Sequence, residues 1–274
     1  MNVPEVISAP STFRWRNPFR RPVNARWVQL LFYIGLFGGW ELLAHSGLWP
    51  SYLFPAPSQV ALKLWAGLTK GVFITGAVVS LKHLLLGYLL SLSVGMVLGL
   101  LIGRIPLLSQ TLGTLMMGLQ ALPSVCWLPL AILWFGLNEQ AIIFVVIMGA
   151  LFSITLGVET GVKNTSPQYL RAARNLGAQG LALYTQVILP SALPTIVSGL
   201  KQGWAFAWRS LMAAELLYYS LSLGNLLQTG RDLNDVAQVM AVMLVIIFVG
   251  VLFNWVLFAP VEKRLRQRWG WQQE

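Results

Sequence analysis

Arg209 stands inside an otherwise apolar run, Leu193 to Tyr218. A guanidinium keeps its charge at every accessible pH and is costly in hydrocarbon, so in such a run it marks function by default. It offers a fixed positive charge and a fork of N–H donors, which is chemistry for binding an oxyanion. The structural alternative is an ion pair with Glu215 or Glu159 that holds helices in register. Glu215 lies six residues on, about 240° around a helix, so a pair within one helix is poor and a pair between helices stays open.

Lys201, Trp204, Trp208, Met212 and Glu215 share one face at helical spacing. That face is either the wall of a permeation path, gated by the tryptophans, or a packed face whose lysine snorkels to the interface. Gln120, beside Pro123, offers an amide to an anion or bonds neighbouring backbone. Glu159 and Lys163, four residues apart, suit a mutual pair. His83 reads as an interfacial histidine, because only His45 is available to join it. No HExxH, GxSxG or GxxxxGK[ST] motif occurs, which argues against catalysis or a nucleotide site within the chain. The lone Cys126 excludes an internal disulfide and disfavours a cysteine-based metal site. No cofactor is expected in the chain itself.

The elements that must carry these residues are membrane helices. The 274 residues are 56% hydrophobic and 10% charged, with a mean hydropathy of +0.67. Soluble domains carry about 25% charged residues, so this chain cannot cover a water-facing surface. Its apolar runs are continuous rather than alternating, which selects helices over a barrel. The expected fold is all-α and polytopic, with about six transmembrane helices. They are Trp27–Ala44, Leu84–Ile102 after a helical lead-in from Gly71, Leu107–Trp134 broken at Pro123 and Pro129, Ala141–Val162, Leu193–Tyr218 and Ala237–Phe258. A Ser58-capped amphipathic helix through Leu68 is expected along the surface, and residues 224–235 as a polar loop. The small residues of the 193–218 span place it inside the bundle.

Lysine and arginine set the orientation. With the N-terminal arm inside, thirteen of the 19 basic residues fall on the cytoplasmic side. Lys63, Lys70 and Arg231 fall outside, and Lys82, Lys201 and Arg209 in or beside spans. This positive-inside pattern explains the net charge of +10 through membrane lipid, without nucleic acid. The chain divides into a basic arm (1–26), a first transmembrane helix with an external loop (27–70), a core (71–260) containing a cytoplasmic loop (163–190), and a basic tail (261–274).

Within that loop, Thr165 or Ser166 can cap a helix whose first residue is Pro167, where a missing N–H costs nothing. Tyr169, Ala172, Ala173 and Leu176 share a face; Arg171, Arg174 and Asn175 take the other. Gly177 supplies the left-handed residue that ends the helix, and Leu189-Pro190 closes the segment.

Ala172-Ala173, Gly177, Val187, Leu189 and Pro190 resemble the EAA loop of ABC importer permeases, a cytoplasmic helix pair that seats in a cleft of the ATPase subunit. Arg171 stands where that motif has glutamate. The segments LFPAPSQV (53–60), LPLAILWFG (128–136), LRAARNLG (170–177), VILPSALPTIVSGL (187–200), AAELL (213–217) and RWG (268–270) resemble the nitrate/sulfonate/taurine/bicarbonate branch of these permeases. The resemblance implies the type I importer transmembrane fold in a bacterial inner membrane, both termini cytoplasmic. It implies a homodimer, two cytoplasmic ATPase subunits that carry ATP and magnesium, and an external solute-binding protein. ATPase coupling then falls to Tyr169, Arg171, Ala172, Ala173, Arg174, Gly177, Leu189 and Pro190. The substrate pathway falls to Arg209, Glu215, Trp208, Trp204, Met212 and Gln120. The competing expectation is a secondary carrier or channel that works without ATP. It calls for internal repeats and coupling acids, and this sequence shows no clear repeat and few acids.

Overall fold

A computed structural model describes residues 25–269; the basic arm up to residue 24 and residues 270–274 lie outside the described residues. The chain forms two units, Met1–Trp49 and Pro50–Glu274. The first contains α1 (Ala25–His45), whose Trp27, Leu31, Phe32 and Ile34 are all exposed, as suits a helix facing lipid. The second contains every other helix described below. This corrects the grouping of residues 27–70, because 50–70 packs with the core. Val60 of α2 (Pro57–Thr69) is buried in one apolar cluster with Leu223, Ala241 and Val242. The first turn of α2 is set by Ala56 and Pro57 rather than by a Ser58 cap, since proline's fixed φ suits the first helical position.

Helix α3 (Val72–Arg104) is one unbroken helix of 33 residues, so the expected lead-in and span are continuous. Gly87, Ser91, Gly95 and Gly99 recur every fourth residue on its buried side. They let α3 lie close against α6 (Glu139–Lys163); a Cβ on Gly99 would sit 2.6 Å from the Thr155 carbonyl oxygen. On its other side α6 meets α8 (Gly180–Glu215), and there a Cβ on Gly157 would sit 2.6 Å from the Cα of Gly199. Leu84, Val145, Val146, Ile154, Ala207 and Leu211 fill the resulting core.

Between α3 and α6 the chain makes a bent pair, α4 (Pro106–Gln120) and α5 (Ser124–Phe135), turning through 99°. The break falls at Pro123, as its sequence predicts. Helix α5 opens with a four-residue 3-10 turn, Ser124–Trp127, and Pro129 sits in the first α-helical turn after it, where its missing N–H costs nothing. Helix α7 (Pro167–Asn175) follows α6. The chain then runs through α8 without the expected stop at Leu189-Pro190. A π turn, Tyr184–Ile188, ends two residues before Pro190, which falls in the first α-helical turn after it, where a missing N–H is tolerated. The same device, a π turn over Asn254–Phe258 before Pro260, carries α10 (Val236–Leu265) past the expected end of the last span. The expected polar loop is α9 (Leu223–Asp232), capped by Ser222 and held by buried Leu223 and Leu226. Among the described residues five helices (α1, α3, α6, α8, α10) are long and apolar enough to cross a membrane, six if α4–α5 is one broken span.

Candidate functional site

The break between α4 and α5 faces α8, and the two enclose a pocket of about 270 Å³. Gln120 at the end of α4, Ser124 at the start of α5 and Arg209 of α8 line it. Gln120 and Arg209, expected to serve the substrate pathway, are thus brought together. Arg209 donates from Nε to the Ala205 carbonyl (3.1 Å), and its guanidinium lies over the Phe206 ring, 4.8 Å from the centroid. Among the described residues no carboxylate pairs with it. Glu215 and Glu159, its candidate partners, are committed elsewhere. The depth of Arg209 follows from the packing. Gly95 of α3 and Gly203 of α8 both abut Ile154, and Arg209 lies six residues, about 9 Å, beyond Gly203. That places it beside the apolar body of α3 rather than at an end. An exposed charge among apolar helices requires water, a ligand or another chain against it.

A larger cavity of about 760 Å³ lies near the loops that join α2 to α3 and α9 to α10. Its Lys63 ammonium is committed to Asp235. Burial alone would raise the Asp235 carboxyl, but Lys63 and the Gln238 N–H outweigh that and hold it below the ordinary 3.8. Its other cation, Lys70, stands in the turn between α2 and α3, outside the long apolar helices.

The face Trp204, Trp208, Met212 and Glu215 is packed inward, which corrects its expected role as a pathway wall. Trp204 is buried against Tyr88, Phe253 and Phe258, and Trp208 lies against Gly250. Glu215 is fully buried: Ser80 Oγ–H donates to Oε2 (2.6 Å), Gly224 N–H donates to the same oxygen (3.2 Å), and His83 Nδ1 lies 2.9 Å from Oε1. Leu223 N–H donates to Ser80 Oγ (3.0 Å), so this cluster anchors the first turn of α9 to α3 and α8. His83 is therefore a buried structural partner of Glu215, and its Nε2 lies 3.8 Å from the half-exposed Glu139 carboxylate at the start of α6. The signal lay in register, since Gly76, Ser80, His83 and Gly87 fall on one stripe of α3. Lys201 pairs with Glu262 at 2.8 Å. Glu159 pairs with Lys163 at 2.7 Å, as its spacing suggested, and Lys163 also donates to Ser109 in the π turn of α4.

The hairpin joining α6 to α8 is built locally. Ser166 caps α7 by accepting from Gln168 N–H, and Pro167 occupies the first position. Gly177 has φ +85°. Ala178 N–H returns to the Ala173 carbonyl and Gly177 N–H to that of Arg174, the paired bonds of a glycine-terminated helix. The apolar face splits in two. Leu170 and Ala173 turn inward onto Val162, Leu183 and Ile188, whereas Tyr169, Ala172 and Leu176 turn outward. Ala173 is therefore a packing residue and not a presented knob. Leu176 is 89% exposed and Leu181, across the turn, 77%. Arg171 and Arg174 are exposed beside them with no ion pair among the described residues. Leu189 and Pro190 are half-buried at the π turn, part of α8 rather than of the tip.

Residues 92–266 match the family model of the binding-protein-dependent transport system inner membrane component. The chain is 30% identical over 229 residues to the nitrate import permease protein NrtB of Leptolyngbya laminosa, covering 80% of each chain. It is 28% identical over 257 residues to the taurine transport system permease protein TauC of Escherichia coli, covering 92% of each. A Methanocaldococcus jannaschii protein named as an ABC transporter permease is 34% identical over 78% of this chain and 82% of its own. With its apolar crossing helices and its broken span, the chain belongs to the binding-protein-dependent transport system inner membrane component family, as a multi-pass transmembrane subunit of an ATP-driven importer.

Proposed function

We propose that this chain imports a small oxyanion as a homodimer, docked through the hairpin of residues 163–190 on two cytoplasmic ATPase subunits that bind and hydrolyse ATP with magnesium. The observation that carries the docking is the exposed apolar tip, Tyr169, Leu176 and Leu181, on a hairpin whose own backbone bonds are complete. A rigid element that leaves large apolar side chains in water is complementary to a partner's groove. Arg171 and Arg174 beside the tip favour an acidic rim on that groove. The positive-inside distribution supports placing the hairpin and both termini in the cytoplasm.

Closure of the ATPase pair on ATP moves the hairpins, and each hairpin continues directly into α6 and α8. That motion swings the two copies and exposes the path alternately to either side. An external solute-binding protein supplies the anion. A second copy is one neighbour that suits Arg209, which is exposed in a single chain and for which lipid is unfavourable. Nitrate and taurine, carried by the named relatives, are the first substrates to try. Vesicles holding this chain with its ATPase and binding protein should accumulate labelled taurine or nitrate only when ATP is present on the ATPase side. Uptake that proceeds equally without ATP would contradict this reading and favour a secondary carrier.

A further inference from the structure

We infer that Glu159, seated on Ser109 and Gly113 of α4, is a positioning residue for transport. It ties the base of the 163–190 hairpin to α4, so that a movement of the hairpin also carries α4 and the break at its far end. This rests on the importer reading and adds a route into the broken span, beside the hairpin's direct continuation into α6 and α8.

Glu159 is a carboxylate near the end of an apolar crossing helix, yet it is only 7% exposed. An ion pair four residues apart near a helix end forms as readily in water, so pairing with Lys163 does not account for the burial. The carboxylate is turned into the π turn of α4, Ser109–Gly113. Ser109 Oγ–H donates to Glu159 Oε1 (3.3 Å) and its oxygen accepts from the Lys163 ammonium, which also donates to Oε1 at 2.7 Å. Gly113 makes the room. A Cβ there would stand 3.2 Å from Glu159 Oε1 and 3.2 Å from Cγ2 of Ile102 on α3. Two charges and a hydroxyl thus close a ring of contacts between α6 and α4. Opening that ring strands a buried carboxylate, so the link holds when its elements move.

The two sides of the link are placed to transmit a displacement. Lys163 is the last residue of α6 and the first of the hairpin, whose two legs are tied where Thr165 Oγ1 meets Ser191 Oγ at 3.2 Å. Lys163 therefore moves with the hairpin. On the other side, Leu107, Leu115 and Met117 of α4 are exposed, so a large part of this helix is not packed against its own chain. The link grips α4 at its π turn, and beyond it Thr114–Gln120 is regular helix. From Pro106 to Gln120 the helix is about 22 Å long at the α-helical rise. A shift applied near its cytoplasmic end thus reaches Gln120 and the break opposite Arg209.

The test uses the whole transporter, with its ATPase and binding protein, in vesicles. Cys126→Ser removes the native thiol, and Met117→Cys on the exposed side of α4 reports the position of that helix through its rate of maleimide labelling. With the link intact, ATP should change that rate several-fold. Ser109→Ala and Glu159→Gln should flatten the ATP response and lower the labelled taurine or nitrate taken up per ATP hydrolysed. In both variants the ATPase subunit should stay bound and the binding protein should still stimulate hydrolysis, which a loss of folding would not allow. Should Glu159→Gln fail to assemble, Ser109→Ala, which removes no charge, decides the matter. Ser109→Thr keeps the hydroxyl and should restore both the response and the ratio. An ATP response unchanged by Ser109→Ala would overturn the inference and leave the importer reading standing. So would a constant labelling rate in a transporter that still takes up its anion. Absence of the ATPase subunit from the unmodified chain would instead sink the importer reading.

Discussion

Arg209 can be removed without orphaning a carboxylate, since none pairs with it among the described residues. Arg209→Ala should therefore abolish anion uptake while leaving assembly and basal ATP hydrolysis close to wild type, as measured by vesicle uptake beside ATPase assay. Loss of the folded complex would make the residue structural. Glu215 behaves oppositely. Glu215→Ala leaves His83 buried without an acceptor and Gly224 N–H unpaired, a loss on the order of 3–5 kcal/mol, read as a lower Tm in detergent. The double substitution of Glu215 and His83 by leucine should lose less than Glu215→Ala alone, because no buried ionisable group is stranded. Asp235 gives a pH signature. Its folded-state pKa is depressed, so its contribution is present above the unfolded value, near 3.8, and is lost as pH falls through the lower folded value. Asp235→Asn should flatten the acid limb of a Tm-against-pH curve; an unchanged limb would mean that other carboxylates dominate it.

The hairpin is the element where packing and presentation separate. Ala173→Leu forces volume into the cluster of Val162, Leu183 and Ile188, an overpacking cost of about 1–3 kcal/mol. Gly177→Ala must hold φ +85° with a Cβ, which costs about 1–2 kcal/mol. Both should raise amide exchange in residues 166–180. Leu176→Asp touches none of that packing and should leave exchange unchanged while weakening ATPase docking. Much of this element was legible in the sequence, because a capping serine, a proline at the first position and a glycine at the end act locally. The inward–outward split was not legible, since an apolar stripe does not say whether its neighbour is the chain's own body or another protein. Pro190 and Pro260 misled for a related reason. Proline ends most helices, but the π turn before each lets α8 and α10 run on, and nothing in local composition announces a π turn.

At the scale of the whole molecule, long continuous apolar runs gave the crossing helices, and the small residues of the 193–218 span gave its place inside the bundle, whereas the small-residue row on α3 was seen only in the packing. The break at Pro123 came from the sequence as well. The pocket did not, because α4, α5 and α8 meet there from residues about ninety apart in sequence, which only tertiary packing can bring together. Gly157→Leu, driven against Gly199, should separate α6 from α8 within the chain, seen as a lower Tm in detergent. The central claim is that the hairpin of residues 163–190 couples this membrane chain to ATP-hydrolysing subunits. Its most direct test is to purify the chain, mildly solubilised from its native membrane, and measure the amount of ATPase subunit recovered with it. The account predicts an ATPase subunit in equal amount to this chain, lost on Leu176→Asp with the permease still folded and dimeric. Recovery of the chain alone, still moving an anion into vesicles without ATP, would contradict it.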